Sequence, residues 1–230
     1  MSSKLDAITA ELLTCRKCPR LVEWRERVAC DKRRAYREWD YWGKPVPGFG
    51  DPQARLVVVG LAPGAHGSNR IGRMFTGDAS GEFLYAALFR AGFASQPISH
   101  HRDDGLKLND IYITAVCRCA PPANKPAPQE IANCQPYLVR EMELLKPQVI
   151  VALGRIAFDA LKSILHASAS LAFSHGAVYQ LKTDNCLLPT AHWLLSSYHP
   201  SRQNTQTGRL TVAMFDQVWV KARQLLDSTT

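Results

Sequence analysis

The chain has 230 residues, of which 46% are apolar, and its 28 Lys and Arg against 20 Asp and Glu give a formal charge of +8. This composition predicts one α/β domain over residues 1–230, and the charge suits a polyanionic partner such as nucleic acid, although a basic chain can also be merely soluble. A run of eighteen apolar residues and a secretory signal pattern are both absent, so we expect a cytoplasmic protein that does not bind membranes.

Four short apolar segments rich in β-branched residues predict buried parallel strands, at residues 55–61, 110–116, 148–153 and 193–198. Apolar residues recur at helical spacing between and after these strands. These patterns follow Ser80, follow Pro128, and cover residues 154–165 and 210–226. Strands that alternate with helices predict a three-layer αβα fold, in which a central four-stranded parallel sheet is flanked by helices.

Three unusual segments follow the ends of predicted strands, at residues 62–78, 117–128 and 199–208. Because ligands of such folds bind beyond the carboxyl ends of the strands, we expect the three segments to meet around one site. The Pro- and Gly-rich residues 43–52 are expected to wrap the surface before the first strand.

The segment after the first strand is rich in glycine, which lets the backbone approach a ligand closely. Phe75 within it is suited either to stacking on a base or to closing the loop as a core residue. Asp78 stands at the start of a predicted helix, where an aspartate is most often an N-cap.

Seven cysteines in a chain expected to be intracellular favour a metal site or reactive thiols over disulfides. Cys15 and Cys18 form a C-x-x-C pair, and Cys119 and Cys134 lie far downstream. Four such thiolates suit either tetrahedral zinc or a [4Fe-4S] cluster, and spacing does not separate the two. Alternatively, Cys119 and Cys134 are ordinary buried residues. The remaining cysteines are predicted to be spare, namely Cys30, Cys117 and Cys186.

Four blocks, at residues 60–64, 69–78, 119–126 and 199–204, together resemble the uracil-DNA glycosylase superfamily, and most of all its type 5 branch, which is related to the type 4 iron–sulfur enzymes. Residues 45–50 and the cysteines also resemble that family. The resemblance implies a monofunctional base excision repair enzyme. Such an enzyme flips uracil out of double-stranded DNA and hydrolyses its N-glycosidic bond, leaving an abasic site.

The resemblance implies a structural [4Fe-4S] cluster bound by Cys15, Cys18, Cys119 and Cys134, with Cys117 as the one competitor for the third position. It also assigns a catalytic carboxylate to Asp78, because Leu61 stands where type 4 relatives carry an acidic residue. His199 is expected to donate to the uracil O2 as charge accumulates there. Asn124 is either a further polar group at the base or a turn residue.

The substrate-binding residues that the resemblance implies are Gly60, Ala62, Gly64, Phe75 and Ala115. Type 4 relatives read the uracil edge with an asparagine where this chain has Ala115. Losing that amide removes a penalty against other bases, so we expect tolerance of hypoxanthine or modified pyrimidines.

Residues 201–208 are expected to fill the gap that a flipped base leaves, with Arg202, Gln203 and Asn204 entering the minor groove. The expected phosphate-binding residues are Ser201, Lys125 and Arg209. Single-stranded DNA is a further possible substrate, and a monomer is expected. Asp78 and His199 together argue against a non-catalytic nucleic-acid binder. The Gly-rich loop argues against an iron–sulfur redox protein.

Overall fold

The computed structural model describes residues 2–181 and 192–228, in which six strands form one mixed sheet of order β1-β3-β2-β4-β6-β5. The strands are β1 (Phe49–Gly50), β2 (Leu56–Gly60), β3 (Ile111–Ala115), β4 (Val149–Leu153), β5 (Val178–Gln180) and β6 (Trp193–Ser197). The four central strands run parallel, while β1 and β5 pair antiparallel at the two edges. The four parallel strands expected from sequence are thus confirmed, each within one residue of its predicted limits.

The edge strands extend the predicted four-stranded sheet to six, and β1 corrects the expectation that residues 43–52 only wrap the surface. Phe49 pairs with Ile113 of β3. Val46 is fully buried, and its N–H donates to the Arg118 carbonyl at 2.8 Å. With two and three residues, β1 and β5 are too short to show an alternating pattern.

Eight helices are present in the described residues: α1 (Ser2–Leu13), α2 (Pro19–Asp31), α3 (Ser68–Ile71), α4 (Ala79–Arg90), α5 (Pro128–Leu145), α6 (Arg155–Ile164), α7 (Arg202–Gln206) and α8 (Val212–Ser228). Single 3₁₀ turns occur at Arg34–Tyr36 and Pro122–Asn124. Helix α5 begins at Pro128, where a proline costs no hydrogen bond, and Glu130 accepts the Ala127 N–H at 2.6 Å. None of these helices combines the length and apolar character needed to cross a membrane.

Alternate residues of the parallel strands point into two separate cores, one on each face of the sheet. Val58 and Val151 pack with α4 and α8, whereas Val57 and Ile150 pack with α5 and α6. Burial on both faces explains why the strands read as continuous apolar runs. The arrangement is the expected three-layer αβα fold.

Strand order places the switch point of the sheet between β2 and β4. From β2 the chain crosses to β3 on one side, then returns over β2 to β4 and continues outward to β6. In such sheets the crevice at the carboxyl ends of the strands beside the switch point is the preferred ligand site. Gly60, Leu153 and Ser197 end their strands at this edge.

Candidate active site

A cleft of about 770 Å³ opens at the carboxyl edge of the sheet, and the segments that follow β2, β3 and β6 all contribute to it. The convergence expected from sequence is therefore present. Eleven of the expected site residues line the cleft, namely Gly60, Ala62, Gly64, Phe75, Asp78, Ala115, Asn124, His199, Ser201, Arg202 and Gln203.

Asp78 both caps α4 and faces the cleft. Its Oδ1 accepts the N–H groups of Ser80 at 3.0 Å and Gly81 at 3.1 Å. Its Oδ2 accepts no hydrogen bond from the described residues. Burial raises the pKa of the Asp78 carboxyl above its ordinary 3.8, against the opposing effect of the two amides. Capping of α4 thus uses Oδ1 alone.

Two glycines make room for that carboxylate. A Cβ on Gly67 would lie 2.1 Å from Asp78 Oδ2, and a Cβ on Gly64 would lie 2.9 Å from the same oxygen. Both distances are shorter than real Cβ contacts, so the glycines let the loop backbone approach Asp78 closely.

His199 lies just after β6 and lines the same cleft as Asp78. Its ring stacks on Phe75 with a centroid distance of 5.8 Å. Burial lowers the pKa of His199 from 6.5 to about 4, so the ring is neutral at pH 7 and has one N–H to donate. The Asn204 side chain donates to the His199 carbonyl at 2.8 Å, which holds the backbone here.

Phe75 has a φ of +52°, which an aromatic residue seldom adopts, and its side chain is only 8% exposed. A Cβ on Gly60 would lie 2.8 Å from Phe75 Cζ, so Gly60 is needed for the ring to sit over the end of β2. Phe75 is consequently a buried residue that also forms part of the cleft wall.

Asn124 and Ala115 represent opposite extremes of exposure in the cleft. Asn124 is exposed and, like Ala123, has a positive φ, which fits the expectation of a turn residue. Ala115 is 1% exposed at the end of β3 and pairs with Gly60. It therefore offers no side-chain hydrogen bond to a bound base.

Three of the expected DNA-binding residues do not line the cleft: Lys125, Asn204 and Arg209. Lys125 is exposed beside it, and Asn204 uses its amide on the His199 carbonyl. The Arg209 guanidinium lies over the Tyr198 ring at 4.6 Å. Ser201, in contrast, lines the cleft and also caps α7, where its Oγ accepts the Asn204 N–H.

Arg33 and Tyr36 line the cleft although no segment predicted to meet there contains them. Arg33 and Tyr36 lie well before β2, so no strand end marks them as neighbours of the site. The only available signal was the density of basic and aromatic residues around them.

The four cysteines expected to bind a cluster meet at a second cavity, which is lined by Cys15, Cys18, Cys119 and Cys134. Asn133 donates to Cys18 Sγ at 3.4 Å, and Arg25 donates to Cys119 Sγ at 2.9 Å. In the described residues no group of three or more His, Cys, Asp or Glu side chains has the spacing of a metal site.

Two buried arginines contact this cavity or one of its cysteines, namely Arg118 and Arg25. Arg118 is fully buried, lines the cavity and pairs with Glu141, yet its Nε and Nη1 have no hydrogen-bond partner in the described residues. The Nε of Arg25 is also buried and unpaired. Unpaired buried N–H donors are costly, and buried cations favour an anionic group close by. A cluster bound by thiolates has that character, so the residues fit it.

Cys117 is buried beside this set and does not line the cavity, whereas Cys30 is exposed. The Cys117 Sγ donates to the Cys119 carbonyl at 3.7 Å, and the neighbouring Cys117 thiol lowers the pKa of Cys134. Cys186 lies outside the described residues.

Comparison with known proteins agrees with the resemblance seen in the four sequence blocks. A model of the uracil DNA glycosylase superfamily matches residues 47–223. The chain is 53% identical over 222 residues to the type-5 uracil-DNA glycosylase of Thermus thermophilus, covering 96% of this chain and 97% of that protein.

The type-5 uracil-DNA glycosylase of Mycobacterium leprae is 50% identical over 228 residues, covering 97% of this chain and 96% of the relative. The type-4 uracil-DNA glycosylase of Archaeoglobus fulgidus is 32% identical over 180 residues, which are 77% of this chain and 74% of that protein. Identity is thus higher to these type-5 proteins, over nearly the full length. The chain belongs to the uracil-DNA glycosylase superfamily, in its type-5 branch.

Proposed function

We propose that this protein is a monofunctional uracil-DNA glycosylase of base excision repair. It takes uracil from double-stranded DNA into the cleft and hydrolyses the N-glycosidic bond, leaving an abasic site. The type-5 relatives, about half identical over nearly the whole chain, support the activity. The observation that carries the mechanism is that Asp78 and His199 line one cleft at the carboxyl edge of the sheet.

Cleavage of the bond builds positive charge on the deoxyribose and negative charge on the departing base. Asp78 provides the anion near the sugar, because its Oδ2 is not used in capping α4. From that position the carboxylate stabilises the sugar cation and orients the attacking water. Two unit charges about 4 Å apart attract by about 4 kcal/mol at the effective dielectric of a protein surface, so the role is energetically substantial.

His199 acts on the departing base. A neutral imidazole donates its N–H to the uracil O2 as negative charge develops there, and one such donor contributes about 3 kcal/mol. The low pKa of His199 keeps it neutral at physiological pH, and the Phe75 ring fixes one face of the imidazole.

Substrate range follows from the wall around the base. Ala115 presents no polar group, so a base other than uracil leaves no buried donor or acceptor unpaired at that position. Hypoxanthine and modified pyrimidines are therefore proposed as further substrates. Asn124 is the proposed polar contact to the base, while Arg202 and Gln203 enter the space that the base vacates.

The test of this mechanism is Asp78→Asn, which keeps the capping oxygen and removes the charge. We expect a 100- to 1000-fold slower single-turnover excision of uracil from a duplex, with a melting temperature close to that of the parent. The control is Glu82→Gln, which removes another acid that lines the cleft. If Glu82→Gln is the slow variant and Asp78→Asn is not, the carboxylate has been assigned to the wrong residue.

We also propose that Cys15, Cys18, Cys119 and Cys134 hold a [4Fe-4S] cluster with a structural role, in which the cluster ties α1 and α2 to the segment after β3. The basis is the shared cavity and its unpaired cationic donors. The purified protein is expected to contain about four iron and four sulfide per chain, and no stoichiometric zinc.

Matched serine variants test which thiols hold the cluster. Cys119→Ser is expected to lose iron, whereas Cys117→Ser and the exposed Cys30→Ser are expected to keep it. Iron loss in Cys117→Ser with retention in Cys119→Ser would reassign the third ligand. The enzyme is further proposed to act as a monomer, which light scattering would test.

A further inference from the structure

Residues 32–42 are dense in cations and aromatic rings. Four of the first six are Lys32, Arg33, Arg34 and Arg37, and no acid interrupts them. Two acids follow within the segment, Glu38 and Asp40. The three arginines are exposed, and within the described residues none of them forms an ion pair with an acid. Their positive charge is therefore left for an external anion.

A buried arginine fastens this segment to the loop that carries Asp78. The Arg70 guanidinium lies 3.9 Å from the Tyr36 ring centroid and 4.2 Å from that of Trp39. Arg70 is 4% exposed, and it donates to the carbonyls of His66 at 2.8 Å and Gly77 at 3.0 Å. Both carbonyls belong to the loop between β2 and α4, so the stack places the basic segment at a fixed position beside the cleft.

Two further contacts hold the segment in place. The Tyr41 hydroxyl is 3.1 Å from His66 Nδ1, and the Trp39 ring stacks on His101 at 4.8 Å. Arg33 and Tyr36 themselves line the cleft. The exposed guanidiniums of Arg34 and Arg37 thus belong to a segment that reaches the mouth of the cleft.

The expected DNA contacts, Arg202 and Gln203, approach the cleft from elsewhere. They belong to α7 after β6, whereas the basic segment packs on the loop after β2, and β4 separates these two strands. Cations from two distant parts of the chain therefore border one cleft. A duplex bound at the cleft presents a row of phosphates longer than one loop can cover.

We propose that residues 32–37 form a second DNA-backbone-binding surface, in which Arg33, Arg34 and Arg37 contact phosphates beside the extruded nucleotide. The proposal rests on the proposed function for its ligand, duplex DNA. Guanidinium groups bind phosphate oxygens through paired N–H donors and carry no base preference here. This surface holds the DNA strand on the side of the cleft next to Asp78, while α7 holds the DNA on the opposite side of the cleft.

The test compares two double variants that each remove two positive charges. Arg34→Ala with Arg37→Ala alters the proposed surface. Lys107→Ala with Lys146→Ala is the matched control, because these exposed lysines precede β3 and β4 and so lie at the opposite edge of the sheet. Binding of a labelled uracil-free duplex, and of the same duplex with an abasic site, is measured by fluorescence anisotropy over a range of salt concentrations.

Each phosphate contact contributes about 0.9 to the slope of log Kd against log salt concentration. For both duplexes, the slope of the arginine double variant is expected to be smaller than the parent's by about two. The slope of the lysine double variant is expected to stay close to the parent's. Equal slopes for the two double variants would overturn the proposal, as would a parent protein that binds neither duplex.

Excision is measured separately, so that failure of the two proposals can be told apart. At subsaturating enzyme, the arginine double variant is expected to excise uracil more slowly than the lysine double variant, because it binds the duplex more weakly. A parent that excises no uracil would contradict the proposed function. The salt slopes would still decide whether residues 32–37 bind the backbone.

Discussion

Replacing Gly67 by alanine should move the Asp78 carboxylate, the proposed catalytic group, without changing Asp78 itself. A Cβ at this position would lie 2.1 Å from Asp78 Oδ2, and ordinary contact begins at 3.4 Å, so the carboxylate must move by about 1.3 Å. For Gly64→Ala the distance is 2.9 Å and the required movement is about 0.5 Å. A misplacement of about 1 Å at a reacting centre can cost about 100-fold in rate.

We therefore expect single-turnover uracil excision to fall about 100-fold in Gly67→Ala and by less than about tenfold in Gly64→Ala. If the shift also breaks the cap on α4, the free energy of unfolding falls by about 1 kcal/mol. Gly92→Ala is the control, because Gly92 has a φ of +73° and lies at the end of α4 remote from Asp78. This control should lose similar stability at an unchanged rate. Equal rates in Gly67→Ala and Gly64→Ala would refute the argument.

Three other perturbations have expected outcomes. The pKa of His199 is about 4 in the folded protein, against an ordinary 6.5. The free energy of unfolding should therefore fall by up to about 3 kcal/mol as the pH drops from 6.5 to 4. Urea denaturation of His199→Gln should lack this pH dependence. Ala115→Asn should raise the preference for uracil over hypoxanthine at least about tenfold in competition assays, since it restores a polar group that a wrong base leaves unpaired. Glu141→Ala should lower the free energy of unfolding, measured in urea, by about 3–5 kcal/mol, because it leaves Arg118 buried without its counter-charge. Thr114→Val removes only a hydrogen bond to Glu141 and should lower it by about 1 kcal/mol.

Results opposite to these would be informative in each case. A His199→Gln variant with the parent's acid sensitivity would place that sensitivity in another group. An unchanged base preference in Ala115→Asn would mean that the base does not reach the end of β3. Equal losses for the Glu141 and Thr114 variants would mean that the ion pair contributes no more than one hydrogen bond.

The parallel strands could be predicted from sequence because burial on both faces leaves an apolar run, as in Leu56–Gly60. Strands β1 and β5 contain two and three residues, which are too few to carry such a pattern. Helix α7 lies in a segment for which no helix was predicted, because its five residues are too few to show helical periodicity.

The meeting of three loops at one cleft was predictable because strand ends of a parallel sheet share an edge. The direction of individual side chains was not. Asn204 turns back to the His199 carbonyl, although its place beside Arg202 and Gln203 suggested a DNA contact. The position of residues 32–42 depends on the stack around Arg70, which joins residues 30 or more apart in sequence and leaves no local pattern.

One short segment reaches both the cleft and the cysteine cavity. Residues 119–124 begin at Cys119 in the cysteine cavity and finish at Asn124 in the cleft, whereas Asp78 and His199 reach the cleft from β2 and β6. Loss of the proposed cluster is thus expected to displace the cleft wall at Asn124 more than it displaces Asp78 or His199.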